Sequence, residues 1–446
     1  MLNILGYWVI EIFIKLSHSM VIVKSSKRLT ICNQLVSLIY IKEKRPHAKP
    51  MKILFISDVY FPRVNGVSTS IKTFVHQMQG LGHEVHLIAP DYNVLTTDES
   101  WIKRILARSI YFDPEDKLMK YGEAIRLLPT LEKEKYDIIH IHTPFVAHYL
   151  GLKLARQLNI PCVETYHTFF EYYLHHYLPW VPQMLARGMA RMISKRQCNS
   201  VDAIVAPSKP MLDVLHSYGV KVSAEVIPTG LLDSSFEVSD GEAFRIKYGI
   251  ELDRPMLLYV GRVAFEKNID FLIRMVKVLS EERPDVLLVI TGEGPAEASL
   301  HQLAETLNLE KNVKFIGYLD RNTELNACYQ SADVFVFASK SETQGLVILE
   351  AMAQGTPVVA IAELGTASIL IEGTGALIAT ENTLEFAQKI LQLLIYPEQR
   401  FELGKLARAY ALEKWTAKLQ AERMLKFYGQ LIQQHETVVI KKLGVA

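Results

Sequence analysis

With 446 residues, 49% of them hydrophobic, the chain can bury more than one core and has length for two or three domains. Its 49 basic and 48 acidic residues leave a net charge of +1, which excludes global attraction to nucleic acid and leaves any affinity for phosphate or membrane to local patches. Cys32, Cys162, Cys198 and Cys328 lie far apart without a C-x-x-C pair, which argues against a disulfide framework or zinc cluster and for a reducing, cytoplasmic compartment.

Residues 2–14, LNILGYWVIEIFI, form an apolar run broken by Glu11. The run is too short to span a bilayer as a helix. It has neither a basic start nor a small-residue cleavage site, so it makes a poor signal peptide. Orderly sequence begins at Met51. Residues 1–50 are therefore expected to be a poorly packed N-terminal extension, upstream of the true start, with a membrane-facing segment as the alternative.

From Met51 the pattern is regular. KILFIS (52–57) reads as a strand buried on both faces. The loop DVYFPRVNGVST leads into a helix over 68–79, and EVHLIAP (84–90) is the next strand. YDIIHIHTP (136–144), PCVETYHT (161–168), AIVAPS (203–208) and AEVIPTG (224–230) follow, with a helix over 146–158. The theme repeats in MLLYVGR (256–262), DVLLVITGEGP (285–295), VKFIGYL (313–319), ADVFVFAS (332–339) and TPVVAIA (356–362). Strands alternating with helices make βαβ units and parallel sheets. The fold class is therefore α/β, with two doubly wound Rossmann-like domains facing across a cleft. The first domain is placed at 51–228 and the second at 229–410. Residues 411–446, with Trp415, Met424 and Tyr428 at near-helical spacing across 401–433, are a candidate to pack back on the first domain. Ligands of such sheets bind at the carboxyl ends of the strands.

Three motifs sit at those ends. In FPRVNGVS (61–68), Asn65 and Gly66 tolerate positive φ and let backbone amides approach a ligand, unless the pair is a plain turn. The stretch is not G-x-G-x-x-G, which weakens a dinucleotide-dehydrogenase reading. In GRVAFEKN (261–268), Arg262 offers a planar fork and Lys267 a mobile charge, a pair suited to a diphosphate. The plainer alternative pairs Glu266 with Lys267. In SETQGLVILEAMAQGTPVV (341–359), a helix from Gly345 to Gln354 would end in a left-handed Gly355. The amides of Gly345, Leu346 and Val347 would make an anion site at its start. Glu342 and Glu350 bracket that start, and carboxylates there accept hydrogen bonds from vicinal hydroxyls. A capping acid and a solvated helix glutamate are the alternative.

Taken together in this order, YFPRVNGVSTS, GRVAFEKN and SETQGLVILEAMAQGTPVV resemble the retaining glycosyltransferases of family 4, which have the GT-B fold. The resemblance covers roughly residues 51–433. It implies that Glu350 holds the ribose of a nucleotide sugar, that Glu342 holds the transferred sugar, and that the amides between them meet sugar and diphosphate. It further implies that Arg262 and Lys267 neutralise the leaving diphosphate and that FIGYL (315–319), with Gly317, contacts the base through its backbone. His167 stands where the family keeps a histidine facing the reacting sugar. In the family the leaving phosphate is thought to take the acceptor proton. The sequence holds no D-x-D, so no metal requirement and no cofactor beyond the donor is expected. UDP-glucose is the first choice of donor and GDP-mannose the second.

After His167 the chain reads FFEYYLHHYLPWVPQMLARGMARMISKRQ (169–197). Phe169, Phe170, Tyr172, Tyr173, Tyr177 and Trp180 suit a membrane interface. Arg187, Arg191 and Lys195 recur every four residues beside Met184, Leu185, Met189, Met192 and Ile193. A helix with these two sides fits docking on anionic lipid, although a helix covering a sheet has the same pattern. YHTFFEYYLHHY also resembles the corresponding segment of family 4 enzymes that glucosylate diacylglycerol. The expected activity is hexosyl transfer to a glycerolipid at the cytoplasmic membrane surface. The alternatives are a soluble or polysaccharide acceptor, as in mannosyl transfer, and a non-catalytic nucleotide-binding protein.

Overall fold

The computed structural model describes residues 50–93, 99–110, 113–169, 182–321 and 323–442. The expectation for residues 1–50 thus falls almost wholly outside them, and Met51–Ala446 make up one compact unit. Its strands are β1 (Lys52–Ile56), β2 (Glu84–Pro90), β3 (Ile102–Ile105), β4 (Ala107–Ile110), β5 (Asp113–Met119), β6 (Ile138–Ile141), β7 (Cys162–Thr165), β8 (Ala203–Ala206) and β9 (Ser223–Val226) in the first half. In the second half they are β10 (Met256–Val260), β11 (Leu287–Thr291), β12 (Val313–Gly317), β13 (Val334–Phe337), β14 (Val358–Ile361) and β15 (Ala376–Ala379). The helices that bear on the site are α1 (Gly66–Gly80), α2 (Val146–Leu158), α3 (Gln183–Cys198), α4 (Ile269–Glu282), α5 (Leu346–Ala353), α6 (Pro397–Lys414) and α7 (Ala417–Lys442).

The two sheets run β3-β2-β1-β6-β7-β8-β9 and β12-β11-β10-β13-β14-β15, with every pair parallel. Central strands such as β6 and β10 bury every residue, because crossover helices cover both faces. Each order reverses once, between β1 and β6 and between β10 and β13. Those reversals open the crevices where doubly wound sheets take ligands.

Three features escape the sequence pattern. Edge strand β3 (IKRI) is half-exposed and charged, the β4–β5 hairpin carries DPEDKLM, and β15 has only four residues. The first two offer no continuous apolar run, and β15 (ALIA) is apolar but too short to stand out. The stretch 401–433 is not one helix either, since α6 and α7 break at Trp415–Thr416. There Leu231 N–H donates to the Trp415 carbonyl at 2.7 Å, and Ala417 N–H donates to the Leu231 carbonyl at 2.7 Å. A Cβ on Gly230 would meet the Thr416 carbonyl oxygen at 2.5 Å, so the close crossing needs glycine. Beyond the break, α7 packs its Met424, Phe427, Tyr428 and Leu431 into the first-domain core with Ile53, Phe55 and Ile71. Each such burial is worth about 1.5–3 kcal/mol.

Candidate active site

The first-domain side starts at the carboxyl end of β1. Asp58 is buried, and its Oδ2 accepts from Thr143 Oγ1 and from the Ala147 amide, both at 2.9 Å. It thereby caps α2, whose own N-cap residue Phe145 supplies no side-chain bond. Burial pushes the Asp58 carboxyl up to about 6. The N-G pair of the next loop is not a positive-φ turn. Asn65 is extended at φ −158° and caps α1, accepting from the Ser68 amide at 2.8 Å, and Gly66 opens the helix. A Cβ on Gly66 would meet nothing within 4 Å, so the space beside it is open.

β6 and β7 bring three histidines into a row. His140 and His142, two residues apart on an extended chain, stack at 4.1 Å, and His142 stacks on His167 at 5.4 Å. His140 Nδ1 pairs with the Tyr428 hydroxyl from α7, and its Nε2 pairs with Thr165 Oγ1 at 2.6 Å. His142 Nδ1 lies 3.1 Å from His167 Nε2. Burial disfavours the charged rings. It pushes His167 down to about 4 and holds His140 and His142 well below the ordinary value.

The second-domain side lies in the loops after β10, β11 and β13. Lys267 Nζ donates to Glu342 Oε1 at 2.6 Å, so its partner is not Glu266. Between Lys267 and α4, Asn268 takes the left-handed conformation, so the helix starts after the lysine rather than between the two cations. Arg262 is exposed and has no side-chain partner among the described residues. The loop around it is tightly packed: a Cβ on Gly292 would fall 1.9 Å from the Gly261 carbonyl oxygen, and one on Gly294 2.3 Å from that of Val263. α5 is apolar all round except for Glu350, which is buried and not a solvated helix glutamate. Glu350 Oε1 pairs with Arg321, and Oε2 accepts from the Tyr329 hydroxyl at 2.8 Å. The Glu350 charge in turn holds Arg321 above its ordinary pKa.

Gly345 is the N-cap of α5 at φ +101°, with no side-chain cap. The first helical bond is Ile348 N–H to the Gly345 carbonyl at 3.1 Å, which leaves the Leu346 and Val347 amides without an intrahelical acceptor. Gly317 stands at the end of β12. Its carbonyl already accepts from the Gly292 amide and from Thr291 Oγ1, both at 2.8 Å, so that oxygen is spent inside the fold.

The two sides touch at the loop that precedes α5. Thr343, next to Glu342, donates through Oγ1 to the His167 carbonyl at 3.1 Å. Gln344 is buried and holds the Thr229 backbone at both ends, at 2.8 and 2.7 Å, while Thr229 Oγ1 donates to Ser70 of α1 at 2.7 Å. One segment therefore carries Glu342, the α5 amides and the contact to His167. Sequence reasoning missed Arg321, Tyr329, His142 and Asp58. The only available signals were a cation and a hydroxyl between β12 and β13 and the H-x-H spacing at the end of β6.

The profile of the group 1 glycosyl transferases matches residues 240–410, and that of Glycosyltransferase Family 4 matches residues 64–232. The alpha-monoglucosyldiacylglycerol synthase of Streptococcus pneumoniae (strain ATCC BAA-255 / R6) is 34% identical over 70% of this chain and 71% of its own length. The chain belongs to glycosyltransferase family 4. A second relative of this glycosyltransferase, the alpha-monoglucosyldiacylglycerol synthase of Acholeplasma laidlawii, is 27% identical over 88% of this chain and all of its own. Among solved structures, sucrose-phosphate synthase from Thermosynechococcus elongatus matches with a TM-score of 0.71 at 22% identity, covering 86% of this chain and 100% of its own, a likeness of GT-B fold.

The glycosyltransferase carries α3 at the surface beside His167's strand. Its buried face is a ridge of small residues: Ala186, Ala190, Ser194 and Cys198. Met184, Leu185, Met189, Met192 and Ile193 are all exposed, with Met184 85% so. This separates the two readings of the helix, because the apolar residues do not cover the sheet. Arg187 and Lys195 are exposed, and Arg191 sits 5.7 Å over the Tyr218 ring. Trp180 and the aromatics at 170–177 lie outside the described residues. Among the described residues, no helix is long and apolar enough to cross a membrane. One metal-like cluster, Glu84, His86 and Glu134, lies away from the cleft at the start of β2, and Lys52 already neutralises its carboxylates at 2.7 and 2.6 Å.

Proposed function

We propose that this glycosyltransferase moves a hexose from a nucleotide sugar to a glycerolipid hydroxyl at a membrane surface, retaining configuration and using no metal ion. UDP-glucose is the first choice of donor and GDP-mannose the second. The observation that carries the donor half is the arrangement around α5: uncapped amides at its start, Glu342 before them and Glu350 behind. On this reading the amides and the cations Arg262 and Lys267 take the diphosphate, and developing negative charge meets fixed donors at the moment the glycosidic bond breaks. Glu342 and Glu350 accept from sugar and ribose hydroxyls. Both carboxylates are already oriented by Lys267 and Arg321, so little reorganisation accompanies binding. Glu164, the carboxylate that lines a small cavity with His167, is buried and held by His148 Nδ1 at 2.9 Å, which fits transfer on the donor face that the phosphate leaves rather than attack by a protein nucleophile.

The acceptor half rests on α3 and on the relatives. Both diacylglycerol enzymes named above act, by name, on a lipid. The exposed Met, Leu and Ile side chains with Arg187 and Lys195 form a face suited to the headgroup boundary of anionic lipid, consistent with a peripheral protein on the cytoplasmic leaflet. The test supplies labelled UDP-glucose to the full chain with diacylglycerol in mixed vesicles. Lipid-extractable label is expected, with an α-anomeric proton signal in the product and activity that survives EDTA. Transfer only to soluble sugars overturns the lipid acceptor, a β product overturns retention, and loss to EDTA restored by Mg²⁺ overturns the metal-free claim.

A further inference from the structure

His142 is 1% exposed, and its Nε2 is a buried ring nitrogen with no partner among the described residues. Its Nδ1 faces His167 Nε2 at 3.1 Å. A hydrogen bond between two neutral imidazoles needs one N–H and one lone pair, so only two arrangements exist. In the first, His142 Nδ1–H donates to His167 Nε2. The proton of His167 then sits on Nδ1, and the unpartnered His142 Nε2 is a bare lone pair. In the second, His167 Nε2–H donates to His142 Nδ1. The proton of His142 then sits on the enclosed Nε2 as a donor with nowhere to go.

The two arrangements differ in what they bury unpaired. Orphaned buried N–H groups are rarer than under-satisfied acceptors. His142 cannot rotate out of the choice. His140 stacks on one face of it at 4.1 Å and is itself fixed at both nitrogens by Tyr428 and Thr165. His167 is only half-buried, and its Nδ1 has no protein partner among the described residues, so that nitrogen is left for a ligand.

We infer that His142 is a positioning residue that fixes His167 as the Nδ1–H tautomer, so that His167 presents a hydrogen-bond donor, and not a base, to the bound sugar. The tautomer stands on geometry alone, and its consequence for substrate rests on the glycosyltransfer reading. A donor there holds a hydroxyl or ring oxygen of the hexose and cannot accept the acceptor's proton. That proton must go elsewhere, which agrees with its capture by the leaving phosphate.

The experiment is long-range ¹H–¹⁵N NMR of the full chain labelled at histidine, paired with kinetics of two variants. In the unaltered protein His167 is expected to show a protonated Nδ1 and a bare Nε2. His142→Phe keeps the ring stack but removes the donor, and His167 should shift to Nε2–H. kcat should then fall about 10–100-fold, the range seen when an orienting partner is removed, with donor KM little changed. His142→Asn places an amide N–H near the former Nδ1 and should restore most of the rate. An Nε2–H signal for His167 in the unaltered protein overturns the inference whether or not the Phe variant folds. So does wild-type kcat in His142→Phe with its tautomer unmoved. If the unaltered chain transfers no sugar but shows the Nδ1–H signature, the functional reading fails and the positioning role stands.

Discussion

What each charge at the site can do depends on whether it already has a partner. Lys267 is held by Glu342 at 2.6 Å, 75 residues away in sequence, while Arg262 is exposed and unpaired among the described residues. A diphosphate would therefore share Lys267 with Glu342 and take Arg262 outright. Lys267→Ala and Arg262→Ala should each lower kcat by about 10²–10³-fold, as loss of one fixed transition-state donor does. The lysine change should also loosen Glu342 and raise donor KM, measured under saturating acceptor. Near-wild-type turnover in either variant removes that residue from the diphosphate site. The histidine row makes a second residue-scale statement, about stability. His167 titrates near 4 in the fold against an ordinary 6.5, and His140 and His142 are shifted in the same direction. Between those values the unfolded chain binds more protons. The stability carried by the neutral rings is complete above about pH 6.5 and is lost as pH falls toward 4. Asp58, raised to about 6, works the other way over part of that window, as does the raised Glu164. Three rings outweigh two carboxyls, so the melting temperature should be lower at pH 5 than at pH 7. An equal or higher value at pH 5 would contradict the burial of neutral rings.

Among the elements, α3 and α5 are opposite cases. α5 is apolar around its whole circumference and is buried, so its one carboxylate must find a cation inside the fold. α3 presents a ridge of small residues inward and turns its large apolar residues outward. Exposed apolar side chains in such number mark a surface for a partner or a membrane. Full chain should co-sediment with anionic vesicles more than with neutral ones, and added salt should weaken binding as it screens the basic residues. Because Arg191 is engaged over Tyr218, the change Arg187→Ala with Lys195→Ala should account for most of the loss seen in the triple Arg187/Arg191/Lys195 alanine variant. No binding at low salt, together with efficient transfer to a soluble sugar, assigns this face to another role.

At the scale of the whole molecule, the chain crosses between its halves twice, at Leu231 and again at Trp415–Thr416, and the crossings are hydrogen-bonded to each other. α7 then returns to the first-domain core and delivers Tyr428 to His140. The second crossing thus links the helix that closes the molecule to the histidine row, while Gln344, Thr229 and Ser70 link the donor loop to α1. These contacts all lie within Met51–Ala446, and the family match begins at residue 64. A chain starting at Met51 should therefore fold with an unchanged melting temperature and transfer sugar at the full rate. Aggregation or inactivity of that shorter chain would make the first 50 residues part of the working unit.

What the sequence determined by itself was local. Continuous apolar runs such as MLLYV, turn glycines and the alternation of strands with helices set two parallel sheets, because period and capping act between near neighbours. The spacing of Glu342 and Glu350 around an α-helix start was equally legible. What only the tertiary structure decided was partnership. Asn65 reads as a turn residue but is a helix cap. Glu350 finds Arg321 and Tyr329, and His142 meets His167 25 residues on. Which face of α3 lies inward was undecidable from an amphipathic pattern that two packings share. Those outcomes depend on distances fixed by crossover handedness and strand register, and a linear pattern carries no information about which distant group the register brings within 3 Å.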